Sequence, residues 1–234
     1  MLFANIDGQK VEATPKTTAI CPLCEQTVFS KCGEINVWHW AHHRVESCDS
    51  WYEPETEWHK NWKLAFGKER CEIVILKDGI KHIADIQTEE NVIIELQNST
   101  IQMPIIRQRE DFYGNRMIWV INGKPFKDNF RYHRFSSYQL DQDDEYWHRY
   151  NPLASKHNTQ PRKNEFNFSW SWYRRSWVDV QRQVFIDFGD ENLFQVVEGM
   201  GTSSGKGKLM SKETFLNEYS GNTELLATLI DKKN

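Results

Sequence analysis

Short apolar runs broken by turn residues open the chain. Leu2 to Ile6, a turn at Asp7-Gly8, and Val11 to Ala13 predict a small hairpin. After Cys21-Pro22-Leu23-Cys24, the run Thr27 to Phe29, a turn near Gly33, and Ile35 to Trp38 predict a second hairpin. That hairpin runs into His39-Trp40-Ala41-His42-His43, with Cys48 shortly after. From residue 51 the pattern changes to a helical period. Pro54 opens a helix with Glu55 and Glu57 in its first turn, where carboxylates suit the helix dipole. Trp58, Trp62 and Phe66 recur at i, i+4 and i+8 as its buried face, and Gly67 stops it. Three strands follow: Glu72 to Leu76, a turn at Asp78-Gly79, Ile80 to Gln87, a turn over residues 88–91, and Val92 to Gln97. Pro104 starts a second helix with Ile106, Arg109 and Tyr113 on one face, and Met117 to Ile121 is another apolar strand. The order α-β-β-β-α-β predicts an α+β fold, or an α/β-like core, around a small sheet.

The last zone is less regular. Asp141 to Glu145 is an acidic run, and residues 151–165 read as polar loop. Phe166, Phe168, Trp170 and Trp172 alternate, as in a strand with one core face. Val184 to Phe188, Gly189-Asp190, and Leu193 to Val197 predict a hairpin. Gly199 to Lys208 reads as a flexible loop, and residues 223–230 as a final helix. The expected organisation is a module at 1–50, a core at 51–125 and an extension of mixed structure at 126–234.

Composition narrows the class. The 234 residues carry 29 Lys and Arg against 33 Asp and Glu, so a nucleic acid would have to be bound by a local patch, not by bulk charge. Ten Trp support a substantial core and leave rings for stacking. No stretch approaches the ~20 apolar residues of a membrane span, so no membrane partner is expected. Five Cys, an odd number without an export signal, suggest a reducing, cytoplasmic setting with thiols used for metal or packing.

Two constellations carry chemistry. Cys21 and Cys24 form C-x2-C, and His39 and His42 follow at a spacing that can complete a tetrahedral zinc site. His42 is the favoured fourth ligand, with His43 or Cys48 as replacements. Four protein ligands close the site, which makes the zinc structural. Read the other way, the thiols are buried and the histidines end a strand. The second constellation is Asp85 on one strand with Glu95 and Gln97 on the next. Antiparallel pairing across residues 88–91 brings Asp85 beside Glu95. Two adjacent carboxylates repel unless a cation lies between them, and Mg²⁺ accepts such a pair. Taken alone, these groups also read as the polar ends of two strands.

In order along the chain, Cys21-Pro22-Leu23-Cys24, His39-Trp40-Ala41-His42, Glu57-Trp58-His59, His82-Ile83-Ala84-Asp85-Ile86, Glu95-Leu96-Gln97 with Ser99, then Arg109, Tyr113 and Trp119 resemble the competence protein CoiA-like family. That family's core belongs to the PD-(D/E)xK, restriction-endonuclease-like nucleases. The resemblance spans residues 21–121 and implies a zinc ribbon ahead of an αβββαβ nuclease core. It implies that Asp85 and Glu95, with the Leu96 carbonyl, hold Mg²⁺ or Mn²⁺, and that Glu57 positions a metal-bound water. Gln97 stands where many members of the superfamily carry the catalytic Lys, and Gln offers no positive charge. Either the metals carry the chemistry, or a nearby cation such as Lys63 substitutes, or activity is weak or lost. His59 and Lys63 lie at i and i+4 on the helix, either facing the phosphate or as an exposed pair on a solvated face.

The expected function is therefore a metal-dependent DNA nuclease in bacterial DNA uptake, processing or defence. The alternative is a non-catalytic DNA-binding adaptor with a degenerate core. From Arg162 to Arg182, Arg and Lys interleave with aromatics, and this stretch is a candidate DNA contact. Its alternation also fits a core strand. Lys206, Lys208 and Lys212 are a second candidate contact.

Overall fold

The computed structural model describes residues 1–43, 48–134 and 164–231. The expected acidic run at 141–145, residues 151–163 of the expected loop at 151–165, and Arg162 and Lys163 lie outside these residues. The described residues form two sheets. The smaller has five antiparallel strands, β1 (Phe3–Ile6), β2 (Gln9–Glu12), β3 (Thr18–Ile20), β4 (Thr27–Lys31) and β5 (His39–Ala41), in the order β2-β1-β3-β4-β5. Its core is Ala4, Ala19, Cys21, Val28 and Trp40. The first hairpin is as the alternation predicts. The second is not: Ile35 is 96 % exposed and the returning strand begins only at His39.

The helix α1 (Glu57–Phe66) starts one turn later than its proline suggests. Thr56 is the cap, accepting a hydrogen bond from the His59 amide, and Gly67 ends the helix. Trp58, Trp62, Ala65 and Phe66 form its buried face. Next come β6 (Cys71–Lys77), β7 (Ile80–Gln87), β8 (Ile93–Gln97), α2 (Met103–Tyr113) and β9 (Met117–Asn122). This is the α-β-β-β-α-β order that the periodicity predicts. A short 3-10 turn (Lys124–Asn129) leads to β10 (Phe130–Arg134). Then follow β11 (Phe166–Trp170), β12 (Gln183–Asp187), β13 (Asn192–Glu198), β14 (Ser204–Ser211), α3 (Lys212–Glu218) and a final 3-10 helix (Thr223–Leu229).

The larger sheet has nine strands in the order β10-β11-β14-β13-β12-β9-β8-β7-β6. Strands β8, β9 and β12 are parallel neighbours, and the other pairings are antiparallel. The expected division at residue 125 thus falls inside one continuous sheet, between β9 and its parallel neighbour β12. Every residue of β9 is buried, as expected for a strand covered on both faces. Ile118 and Val120 pack toward α1 and α3, while Trp119 and Ile121 pack toward α2 and Trp177.

The Gly-rich stretch is not a loop from Ser204 onward, because β14 pairs with both β11 and β13. Its glycines have a packing reason. A Cβ on Gly205 would lie 2.8 Å from the Phe168 ring, and one on Gly207 would lie 2.3 Å from the Phe194 ring. In the aromatic run, Phe166, Phe168 and Trp170 are core residues, so the strand reading holds there. Among the described residues no helix is long and apolar enough to cross a membrane.

Candidate metal centre and active site

Cys21 and Cys24 sit on the knuckle between β3 and β4, which is closed by hydrogen bonds from the Cys21 amide to the Gln26 carbonyl and from the Glu25 amide to the Cys21 carbonyl. His42 follows β5 directly, and Cys48 lies beyond it. The ligand atoms of Cys21, Cys24, His42 and Cys48 all fall within 4.8 Å of one another. Cys21 Sγ is 3.7 Å from Cys48 Sγ, and Cys24 Sγ is 3.2 Å from His42 Nε2. A tetrahedral ion with zinc–sulfur bonds of ~2.3 Å places its sulfurs ~3.8 Å apart. The group therefore fits a metal such as zinc. The hydrogen bond between Cys21 and Cys48 lowers the pKa of the Cys21 thiol and raises that of Cys48, so the pair favours one thiolate, and a metal would have to displace the second proton.

The expected ligand His39 is not part of this group. Its Nδ1 lies 2.8 Å from the Val37 carbonyl, and Cys48 takes the fourth place. Strand geometry explains the correction. Positions 39 and 42 are three apart, so extended backbone sends them to opposite faces. His43 also stands apart, edge-on to Phe29.

The second site is a cavity between α1, β7, β8 and the small sheet. The β7–β8 ladder pairs Ile86 with Ile94, which sets Asp85 beside Glu95 one step further on. Asp85 Oδ2 accepts from the Leu96 amide at 2.9 Å, and Glu95 Oε1 accepts from the Asp85 amide at 3.3 Å. Lys63 reaches in from α1. Its Nζ lies 3.1 Å from Asp85 Oδ1, 2.8 Å from Glu55 Oε1 and 3.0 Å from Glu72 Oε1. Burial works to lower the Lys63 pKa, but the three carboxylates outweigh it and keep the ammonium charged. Arg109, from α2, donates to Glu95 Oε2 at 2.9 Å and to the Trp51 carbonyl at 2.6 Å. Burial first, then the neighbouring Asp85 charge, pushes Glu95 up to about 8.

The remaining expected residues divide. Glu57 is exposed on the first turn of α1 and does not line the cavity. The helix begins after Thr56, so its first residue faces solvent, and the expected role for Glu57 has no place in this geometry. Glu53 and Glu55, on the extended segment around Pro54, line the cavity instead. Gln97 is fully buried. Its Nε2 donates to Glu53 Oε1 and, at 3.2 Å, to the Ser99 carbonyl. His59 is buried too, with Nδ1 2.9 Å from Thr56 Oγ1 and Nε2 3.9 Å from Glu53 Oε2. Among the described residues, the buried acceptors Glu55 Oε2 and Gln97 Oε1 have no hydrogen-bond partner.

The sequence reading missed Glu53, Glu72 and Asp49. Residues flanking a proline are biased to extended backbone, so Glu53 and Glu55 at i and i+2 face one side. That signal was present for the first of them. Glu72 had none. It adopts φ 49 and accepts hydrogen bonds from the Leu2 and Phe3 amides at 2.7 and 2.8 Å, tying β1 to the pocket. Asp49 accepts from the Ile83 amide at 2.8 Å and sits 2.9 Å from His82 Nδ1. His42 and Cys48 of the thiol centre also line the acid cavity, so the two sites share a wall.

Fold and sites define a mixed α/β protein whose N-terminal Cys3His module abuts a buried acid–lysine cavity. Residues 4–50 match the family model of the competence protein CoiA, N-terminal domain, so this module is similar to that of the CoiA-like proteins. The match ends before α1 and does not extend to the acid cavity. Neither a curated protein nor a solved structure gives a significant match.

Proposed function

We propose that the protein is a divalent-metal-dependent nuclease that hydrolyses DNA phosphodiester bonds at the Asp85–Glu95 cavity. The observation that carries this reading is Lys63 Nζ, 3.1 Å from Asp85 Oδ1 and within the cavity that Glu95 also lines. Lys63 supplies from a helix the positive charge that Gln97 cannot supply from the strand. The donor chemistry fits a hard cation. Asp49, Glu53, Glu55, Glu72, Asp85 and Glu95 line the cavity with Lys63, Arg109 and the Met1 amine, which lies 3.7 Å from Glu55 Oε1, and among the described residues Glu55 Oε2 has no partner. Asp85 and Glu95, with the Leu96 carbonyl, would hold Mg²⁺ or Mn²⁺, which when bound polarises the phosphate and lowers the pKa of water. The protein's own groups do the rest. With Asp85 engaged by the metal, Lys63 would turn the N–H it now gives Asp85 to a phosphate oxygen and stabilise charge as it develops there. Glu55 accepts the hydrogen bond that orients the attacking water. Arg109 fixes Glu95 through an ion pair that is itself buried. Zinc on Cys21, Cys24, His42 and Cys48 would be structural. The name of the matched family suggests a role in competence, hence in DNA uptake or processing.

The test is purified protein with labelled single- and double-stranded DNA in Mg²⁺ or Mn²⁺. Cleavage is expected, and it should be lost in Asp85→Ala and in Glu95→Ala. Cleavage undiminished in both variants rejects the site. One observation favours the second reading, a non-catalytic DNA-binding adaptor. All four oxygens of Asp85 and Glu95 already have protein partners, and Gln97 stands at the lysine position. Salt-sensitive DNA binding with no cleavage in either metal would establish that reading.

A further inference from the structure

The segment between β11 and β12 is built unlike an ordinary connection. Trp170 is 1 % exposed and Trp177 is fully buried, edge-on to Trp119 at 5.1 Å. Between these two anchors Trp172 is 77 % exposed. The backbone is held as well, since the Ser171 amide donates to the Asn129 carbonyl and the Trp177 amide to the Arg174 carbonyl. An exposed indole on a fixed backbone has little ordering entropy left to lose when a flat ring stacks on it.

Two guanidinium groups follow it. Arg174 lies over the Phe126 ring, 4.7 Å from its centroid, and Phe126 in turn stacks on Trp170 at 4.8 Å. Among the described residues the buried Arg174 Nη1 has no hydrogen-bond partner. Arg175 lies over Tyr173 and donates to its hydroxyl. Among the described residues neither Arg174 nor Arg175 has a carboxylate partner, while the nearby Asp179 is occupied by Arg107.

Covalent and hydrogen-bonded links lead from here to the acid cavity. Phe126 follows Asn122 by four residues. Asn122 donates to Asn98 at 2.7 Å, and the Asn98 and Ser99 amides point to Glu53 on the cavity wall. Burial lowers the Arg174 pKa, and the Glu53 charge acts against that lowering, so the two groups lie within electrostatic reach.

We propose that Trp172, Arg174 and Arg175 form a grip for single-stranded DNA beside the cavity, Arg174 and Arg175 taking backbone phosphates and Trp172 stacking on a nucleobase. A duplex keeps its bases stacked inside, so a lone exposed indole favours a single strand. The grip rests on the nuclease reading for its purpose but not for its test.

The test is fluorescence anisotropy of a dye-labelled oligothymidine with the intact protein, in Ca²⁺ and without added Mg²⁺ or Mn²⁺, across a salt series. Trp172→Ala should weaken binding about tenfold and Trp172→Phe much less, as stacking requires. Arg174→Gln should reduce the slope of log K against log salt by about 0.7, the loss of one phosphate contact on a single strand. Trp172 is exposed, so its substitution leaves the fold intact. Wild-type affinity and slope in both Trp172→Ala and Arg174→Gln would overturn the grip, as would tighter binding of a duplex of equal length. Trp172-dependent binding without cleavage in Mg²⁺ supports the grip and counts against the nuclease. Cleavage with Trp172-independent binding does the reverse.

Discussion

Lys63 and Lys212 are both buried, and their surroundings differ in the way that would separate the proposed metal site from a structural ion pair. Lys212 is fully buried and meets one acid, Asp187, at 2.8 Å, besides donating to the Leu229 carbonyl. Asp187 is satisfied in turn. Its Oδ2 accepts from the indoles of Trp58 and Trp62 at 2.8 and 2.9 Å, and its Oδ1 from the Gly189 amide at 2.8 Å. One charge answers one charge, each polar atom has a partner, and the pair pins α1 and α3 to β12. Lys63 meets three carboxylates, leaves Glu55 Oε2 without a partner, and faces a cavity. A balanced, sealed pair costs desolvation and returns a fixed geometry. An acid surplus around an opening is a place for a further cation.

The comparison breaks first at Asp187. Asp187→Ala strands the Lys212 ammonium and two indole N–H groups in the core. The expected loss is about 3–5 kcal/mol, read as a fall in the denaturation midpoint at unchanged slope. Next in size is metal removal from the thiol centre. Cys24→Ser, or a strong chelator, should loosen residues 1–50, seen as loss of protection of the β3–β4 amides in hydrogen exchange. His39→Ala should leave metal content unchanged, because His39 stands outside the group.

The contrast sharpens at the pocket. Asp85→Asn removes one acid from a surplus, so stability should change by no more than about 1 kcal/mol, since Lys63 keeps Glu55 and Glu72. DNA cleavage should fall about a hundredfold or more in the same variant. A large loss of stability with activity retained would make the pocket a second structural pair. The smallest effect is at Trp58→Phe. It removes one of several donors to Asp187 and should cost about 1 kcal/mol with no effect on cleavage per folded molecule.

What could be read from the sequence follows the range of the interactions. The α-β-β-β-α-β order was legible because its helices carry a 3.6-residue stripe and its hairpins carry turn residues, all local signals. The nearness of Asp85 and Glu95 was legible because one short turn joins their strands. Lys63 was within reach because it lies on the same helix as the core tryptophans. Glu72 and Asp187 were not legible, since their partners lie 70 and 129 residues away in sequence. The parallel pairing of β9 with β12 is equally remote, and it hid the fact that one sheet crosses residue 125. The glycines of β14 signal flexibility when read locally. Their purpose shows only when the rings of Phe168 and Phe194 lie over them. Glu57 failed for a smaller reason: its role came from the resemblance, and the helix phase that buries Trp58, Trp62 and Phe66 leaves Glu57 exposed.

The most direct measurement is anomalous diffraction from crystals of the intact protein soaked in Mn²⁺. The account predicts a manganese peak at ~2.0–2.2 Å from carboxylate oxygens of Asp85 and Glu95, none at Asp187, and a zinc peak among Cys21, Cys24, His42 and Cys48. Ordered Asp85 and Glu95 side chains with no manganese between them would contradict it.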